Sequence, residues 1–302
     1  MFVNISSIND RLLKDCAEYI KNSDGVYEQS IQRVADCIID EKAARPVILI
    51  SGPSGSGKTT SAHKLEAILD NAGFPSMTLS IDNFFFPMTE EDKKLHAEHK
   101  LDLESPARVD AELLSRTLND ITEYKPVYLP QFDFTTNTRS YSKEPLIRQK
   151  NELVVLEGTH ALNPDVVTVD PSKTLPVYVS VRTRVQTEGG EMIHPEYIRL
   201  MRRMIRDSLY RGRTFTKTAQ MYKSVQEGEN KYIMPYKHRS VFDIDTFIAY
   251  EINVYRDLIL EGLRKEGLDK KIPQLEKMLS HALPLDKSAV PTNSLLREFL
   301  GK

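Results

Sequence analysis

PVILISGPSGSGKTT, residues 46–60, is the stretch around which the rest of the chain arranges itself. Val47-Ile48-Leu49-Ile50 is continuously apolar, the pattern of a short strand buried on both faces. It runs into Gly52-Pro53-Ser54-Gly55-Ser56-Gly57-Lys58-Thr59, which fits the phosphate-loop pattern G-x-x-x-x-G-K-[ST], and Thr60 follows it. Leu65, Ile68 and Leu69 then fall on one helix face, so the motif sits between a strand and a helix as its mechanism requires. A glycine-rich turn matching by chance would lack that context. Glycines let successive N–H groups turn inward on an anion, and the following helix adds the positive end of its dipole. The expectation is a triphosphate held by residues 52–60, with Lys58 on the β- and γ-phosphates and the Thr59 hydroxyl on Mg²⁺. The loop alone does not say what receives the phosphate.

Outward from the loop, strands alternate with helices. Met77–Ile81 reads as a strand running into Asp82-Asn83-Phe84-Phe85, Leu153–Leu156 as a fully apolar strand running into Glu157-Gly158, and Val177–Val181 as another. Ser105-Pro106 predicts a cap and first turn for a helix carrying Val109, Leu113, Leu114, Leu118 and Ile121, and Gln131–Arg139 reads as a polar loop. The fold expected is α/β, a parallel sheet sandwiched by helices, of the P-loop NTPase class. Residues 1–45 form an N-terminal helical appendage with a break at Ser23-Asp24-Gly25. Residues 46–250 form the nucleotide domain with a lid at about 185–215, and 251–302 a C-terminal helical extension.

In parallel sheets ligands sit outside the carboxyl ends of the strands. Asp82 and Glu157 both stand just past strand ends, so they converge on the loop. Mg²⁺ takes one or two carboxylates plus phosphate oxygens, which Thr59 with Glu157 or Asp82 would complete. Asp82 also suits orienting an acceptor hydroxyl, and as a turn carboxylate Glu157 has a purely structural alternative. Residues 194–213, HPEYIRLMRRMIRDSLYRGR, place Met201, Met204, Ile205 and Leu209 on one face and Arg199, Arg202, Arg203 and Arg206 on the other, with Arg211 and Arg213 at the end. A solvated face or a nucleic-acid surface would carry arginines too. With a phosphate loop in the same chain, a lid over the triphosphate accounts for them better.

The bulk composition excludes several classes. A net charge of −2 gives no global attraction for nucleic acid or an anionic membrane, so neither partner is expected. No apolar run approaches the ~18 residues of a membrane span, and MFVNISSINDRLLKD is no signal peptide, so a cytoplasmic protein is expected. Cys16 and Cys37 read as buried thiols of a reducing compartment. Nothing here decides between a monomer and a homo-oligomer.

Taken together, GPSGSGKTT, Ser80-Ile81-Asp82-Asn83-Phe84, the Glu157-Gly158 pair and Arg203-x-x-Arg206-Asp207-x-x-x-Arg211-Gly212-Arg213 resemble the phosphoribulokinase/uridine kinase family of P-loop kinases over roughly residues 46–250. Leu103–Asp110 looks like a drifted form of that family's F-D-H-P-x-A-x-D. Glu157–Pro164, Ser224–Pro235 and Asn293–Phe299 look closer to a bacterial uridine kinase-like nucleoside kinase branch. The resemblance implies an ATP-dependent (or other NTP-dependent) kinase with Mg²⁺, acting on a small-molecule hydroxyl, foremost the 5′-hydroxyl of a nucleoside. It implies Asp82 and Lys58 as catalytic groups, Glu157 with Thr59 for the metal, and Arg206 and Arg211 on phosphates. Arg203 and Arg213 are implied toward the nucleoside, and Glu104 on the ribose. Phe85, Phe132, Asp133, Asn137 and Arg139 fall in the base-reading segments, with Phe85, Phe132 and Asn137 replacing the family's tyrosine, tyrosine and histidine. Other hydroxyl acceptors (a sugar phosphate, pantothenate, glycerate) and a non-catalytic nucleotide module stay open.

Overall fold

A computed structural model describes residues 1–41, 44–98 and 100–301; Lys42, Ala43, His99 and Lys302 lie outside the described residues. The chain opens with β1 (Phe2–Asn4), α1 (Ile5–Lys14) and α2 (Cys16–Asp40), then enters β2 (Val47–Ser51) and α3 (Lys58–Asn71). Next come β3 (Ser76–Ser80), α4 (Glu90–Ala97), α5 (Ala111–Thr122), the pair β4 (Pro130–Asp133) and β5 (Thr138–Tyr141), β6 (Leu153–Glu157) and β7 (Thr174–Ser180). The last third holds β8 (Arg184–Gln186), β9 (Met192–Ile193), α6 (Glu196–Arg211), α7 (Phe215–Tyr232), β10 (Phe242–Asp245), α8 (Glu251–Lys265), α9 (Pro273–Ser280) and α10 (Arg297–Leu300).

Five parallel strands in the order β10-β7-β2-β6-β3 make the central sheet; β2, β3, β6 and β7 are the strands expected from the sequence, and the edge strand β10, with its alternating FDID pattern, is not among them. Alternation within each strand supplies both faces. Ile48, Ile50, Leu153, Val155, Leu175, Val177 and Val179 join a core with the N-terminal helices, α3 and α6 to α10. Val47, Leu49, Val154, Leu156 and Tyr178 join a second core with Leu114, Leu118 and Ile121 of α5. The first core runs from Ile5 to Phe299, so the stretches bounded at 45 and 251 pack with the sheet around one interior. No helix among the described residues is long and apolar enough to cross a membrane.

Local chemistry corrects several expectations. The N-terminal break lies at Asp15, not at Ser23-Asp24-Gly25: Asp15 is extended and caps α2 by accepting from the Glu18 N–H at 3.0 Å. Gly25 sits in open space, and Ser23 Oγ bonds back to the Tyr19 carbonyl at 2.7 Å, so the helix continues. Buried Asp24 accepts from Tyr250 and Ser294, each at 2.8 Å, which ties α2 to the C-terminal segment. Ser105-Pro106 starts only a single tight turn (Pro106–Arg108), and α5 begins after Asp110, which accepts from Leu113 N–H at 3.0 Å. Residues 131–139 form a hairpin instead of a loop, because Asp133 accepts from Thr135 N–H at 2.7 Å and Asn137 takes a left-handed φ of 55° to close the turn. Leu209 is 54% exposed and does not share the apolar face of α6. Both cysteines are free and only partly buried.

Candidate active site

The glycine loop closes on a cavity of about 170 Å³ that also receives Asp82, Glu157, Arg203, Arg206, Arg211 and Glu298. Gly57 caps α3 with φ +83°, and a Cβ there would lie 2.7 Å from Leu295 Cδ1, so glycine is required twice over. Lys58 Nζ donates to the Pro53 carbonyl at 3.1 Å across the mouth of the loop. Burial lowers its pKa, while Glu157 and Asp82 act in the opposite sense and favour the ammonium.

Strand register brings the carboxylates there. Glu157 of β6 stands beside Ile50 of β2 on one side and Ser80 of β3 on the other. Asp82 follows two residues beyond Ser80, whose hydroxyl accepts from the Asp82 N–H at 3.3 Å. Asp82 meets water at the cleft mouth while protein crowds it from behind. Burial pushes its carboxyl up to about 6, Glu157 adds to the rise, and Lys58, Arg211 and Arg206 oppose it. Two carboxylates and the exposed Thr59 beside an anion loop fit Mg²⁺, which needs few protein ligands once phosphates supply the rest. No cluster of three or more acidic, His or Cys ligands occurs among the described residues, so the metal would depend on the nucleotide.

Helix α6 does more than cover the loop. Arg199 donates to the Ser54 carbonyl at 3.4 Å, Arg202 to the Gly55 carbonyl at 3.3 Å, and Arg203 to the Ser54 hydroxyl. Three inward arginines therefore brace the loop from below, so only part of the expected lid cluster, Arg206 and Arg211, is left for the triphosphate. Arg206 and Arg211 reach the cavity, with Asp207, fully buried, between them: Arg211 lies 3.0 Å from it and Arg206 3.9 Å. Burial, with Arg211 and Arg203 adding, brings Arg206 down to about 10. Arg213 pairs with the same aspartate at 3.5 Å and stays outside the cavity.

On the other flank, burial raises Glu104 while Arg203 opposes the rise. The Glu104 carbonyl accepts from His160 Nε2 at 3.0 Å, which fixes the neutral tautomer; burial holds His160 down to about 4. His194 is exposed, beside Glu196. Helix α7 presses on Glu104 through Gly228, where a Cβ would come within 2.3 Å of Glu104 Cβ. Gly228→Ala is therefore expected to force α7 and the 102–105 segment apart. Urea unfolding should show a loss of about 1–3 kcal/mol, and the acceptor KM should rise more than the ATP KM.

Phe85, Phe132 and Phe134 form an edge-to-face trio with centroids 4.9–6.2 Å apart, beginning three residues past Asp82. The polar residues of this region are occupied elsewhere. Asn137 exchanges hydrogen bonds with the Met88 backbone at 3.0 and 3.4 Å, Arg139 bonds Asp110 at 2.9 Å, and Asp133 closes the hairpin turn. The structure thus gathers Lys58, Thr59, Asp82, Glu157, Arg203, Arg206 and Arg211, and leaves Asp133, Asn137, Arg139 and Arg213 in supporting contacts.

Sequence reasoning missed Glu298. Its Oε2 accepts from Thr60 Oγ1 at 2.5 Å. The signal was a lone acid within Leu295-Leu296-Arg297-Glu298-Phe299-Leu300, an otherwise apolar run apart from Arg297. Leu295, Leu296 and Phe299 are fully buried, and at about 1.5–3 kcal/mol per side chain they hold the segment by roughly 5–9 kcal/mol. A ligand with a micromolar Kd binds by about 8 kcal/mol, so a nucleotide would use up its binding free energy expelling this segment. Glu298 is a fixed wall of the cavity.

A model of the family described as phosphoribulokinase/uridine kinase matches residues 47–249. The uridine kinase of Staphylococcus carnosus (strain TM300) is 29% identical over 243 residues, covering 79% of this chain and 98% of that protein. That of Ligilactobacillus salivarius (strain UCC118) is 30% identical over 222 residues, covering 73% and 93%. Among solved structures, a protein from Silicibacter sp. TM1040 whose proposed role is a fructose transport system kinase matches with a TM-score of 0.54 at 16% identity, covering 70% of this chain and 98% of that one. That likeness is one of fold, a P-loop kinase sheet flanked by helices.

Proposed function

Since the chain belongs to the phosphoribulokinase/uridine kinase family and is a small-molecule kinase, we propose that its acceptor is the 5′-hydroxyl of a nucleoside, with ATP as donor. The observation that carries the nucleoside reading is the aromatic trio Phe85, Phe132 and Phe134 next to Asp82. Flat aromatic faces suit a heteroaromatic base, whereas glycerate, pantothenate or a sugar phosphate offers no ring to stack. Glu104, crowded and facing Arg203, supports a neighbouring sugar site.

In this mechanism Asp82 accepts a hydrogen bond from the acceptor hydroxyl and aims its oxygen at the γ-phosphorus. A bond forms from that oxygen to phosphorus, the bond to the β-bridging oxygen breaks, and the hydroxyl proton passes to Asp82 and then to water. The transition state is loose, so positioning contributes more than early deprotonation. Lys58, Arg206 and Arg211 offset the charge on the equatorial and bridging oxygens. Mg²⁺, held by Thr59 and Glu157 or Asp82 with phosphate oxygens, would supply further counter-charge to the triphosphate. The backbone N–H groups of residues 54–60 fix the donor.

ADP release measured with a panel of nucleosides, sugar phosphates, pantothenate and glycerate tests the reading. Stimulation by nucleosides alone is expected. Stimulation only by the other acceptors would move the assignment to another hydroxyl, and tight ATP binding with no stimulation by any acceptor would leave a nucleotide-binding module.

A further inference from the structure

Among the described carboxylates of the loop cavity, Glu298 is the one that phosphoryl transfer does not use. Its position follows from the sheet order. Asp82 follows β3, at one edge of the sheet, and β2 with the glycine loop lies at the centre. At the opposite edge, Thr246 after β10 bonds Arg202, and Arg202 lies over the Phe299 ring at 5.0 Å from its centroid. Glu298, one residue before Phe299, therefore enters from the β10 side and meets Thr60. A γ-phosphoryl group that faces Asp82 leaves the α-phosphate pointing the other way, toward Thr60. A carboxylate beside that phosphate is repelled, and Thr60 satisfies only its Oε2, so the other oxygen calls for a neutral hydrogen-bond donor on the ligand. The vicinal hydroxyls of the donor's sugar are the first such groups past the α-phosphate, and the base lies a whole sugar further on.

We infer that Glu298 is a donor-specificity residue whose carboxylate accepts hydrogen bonds from the 2′- and 3′-hydroxyls of the donor ribose, so that the protein takes ribonucleoside triphosphates. The packing of Leu295 against Gly57 and of Phe299 under Arg202 holds the carboxylate in place with no loop to order on binding. The inference rests on the donor half of the proposed function and is independent of the acceptor.

Calorimetric titration of the full chain without acceptor tests it, using ATP, 2′-deoxy-ATP, 2′,3′-dideoxy-ATP and inorganic tripolyphosphate. Wild type should bind ATP about ten- to a hundredfold more tightly than dideoxy-ATP, the range expected for hydrogen bonds to a charged group. Glu298→Ala should erase that difference and leave tripolyphosphate binding equal or tighter, and Glu298→Gln, which keeps an acceptor oxygen, should retain part of the preference. Thermal melts identify a variant that fails to fold, in which case the narrowing in Glu298→Gln decides. Equal wild-type affinities for ATP and dideoxy-ATP would overturn the inference alone. So would a Glu298→Ala variant that binds every triphosphate more tightly with the sugar preference intact. Absence of binding by all four compounds would overturn the donor reading with it.

Discussion

Asp82→Asn should lower kcat by about a hundred- to ten-thousandfold, the span expected for a positioned general base, while ATP affinity changes by less than about threefold. The amide keeps the shape and loses the acceptor strength that aims the hydroxyl. Lys58, Arg206 and Arg211 still hold the phosphates. Comparing calorimetric ATP binding with single-turnover transfer separates the two effects, and a parallel loss of binding would show Asp82 to be a metal or phosphate anchor instead. The carboxyl sits at about 6 because burial outweighs the neighbouring cations, so wild-type kcat/KM should fall as pH drops through 6. Asparagine should remove that limb. Stability should move the other way. The folded pKa lies above the unfolded value of 3.8, so the folded state favours the protonated form, and that contribution is lost as pH rises from about 4 through 6. The full shift would correspond to about 3 kcal/mol. Water at the cleft mouth screens the charge, so Asp82→Asn should gain about 1 kcal/mol or less at pH 8 and a smaller amount at pH 4.5, readable as Tm.

Strand ends were the most legible part of the chain. Short continuous apolar runs such as Leu153–Leu156, followed at once by Glu157-Gly158, read as buried strands of a covered sheet, so the polar residue that follows, Glu157, has its place decided by backbone geometry. The loop and Asp82 follow the same rule. What stayed hidden depends on distant partners. Asp24 looks like a helix breaker until Tyr250 and Ser294, over two hundred residues away, supply its hydrogen bonds. Asn137 and Arg139 keep family positions, yet their side chains serve the Met88 backbone and Asp110, which local pattern does not reveal. The arginine helix was half legible: its count of cations pointed to anions. Which of those anions are phosphates and which are protein groups is a tertiary fact, settled for Arg199 by Glu229 at 2.8 Å and for Arg202 by Glu251.

Arg202→Met is expected to destabilise the protein by about 3–5 kcal/mol, the cost of leaving a buried partner charge unpaired. Arg202 and Glu251 are both fully buried. The guanidinium donates to Glu251 twice, at 2.8 and 2.9 Å, to Thr246 at 2.6 and 3.2 Å, and to the Gly55 carbonyl at 3.3 Å. Those five bonds match its five N–H donors, so the guanidinium is fully satisfied: burial opposes its charge and Glu251 restores it, while burial pushes the Glu251 carboxyl up and Arg202 opposes that rise. Removing one member strands the other, whereas removing both replaces the pair with apolar volume. Arg202→Met with Glu251→Leu should therefore be more stable than either single variant and close to wild type, with a favourable coupling of several kcal/mol in urea unfolding. The double variant should still bind ATP more weakly, because nothing then holds the Gly55 carbonyl and the loop's N–H groups lose their fixed aim. A double variant destabilised by the sum of the singles would show that the two residues act independently. Wild-type ATP affinity in the double variant would show that the glycine loop keeps its shape without the Arg202 contact, held by Arg199 and Arg203 at Ser54. The expected split, stability recovered and nucleotide binding not, follows from one side chain that neutralises Glu251 and braces the phosphate loop at once.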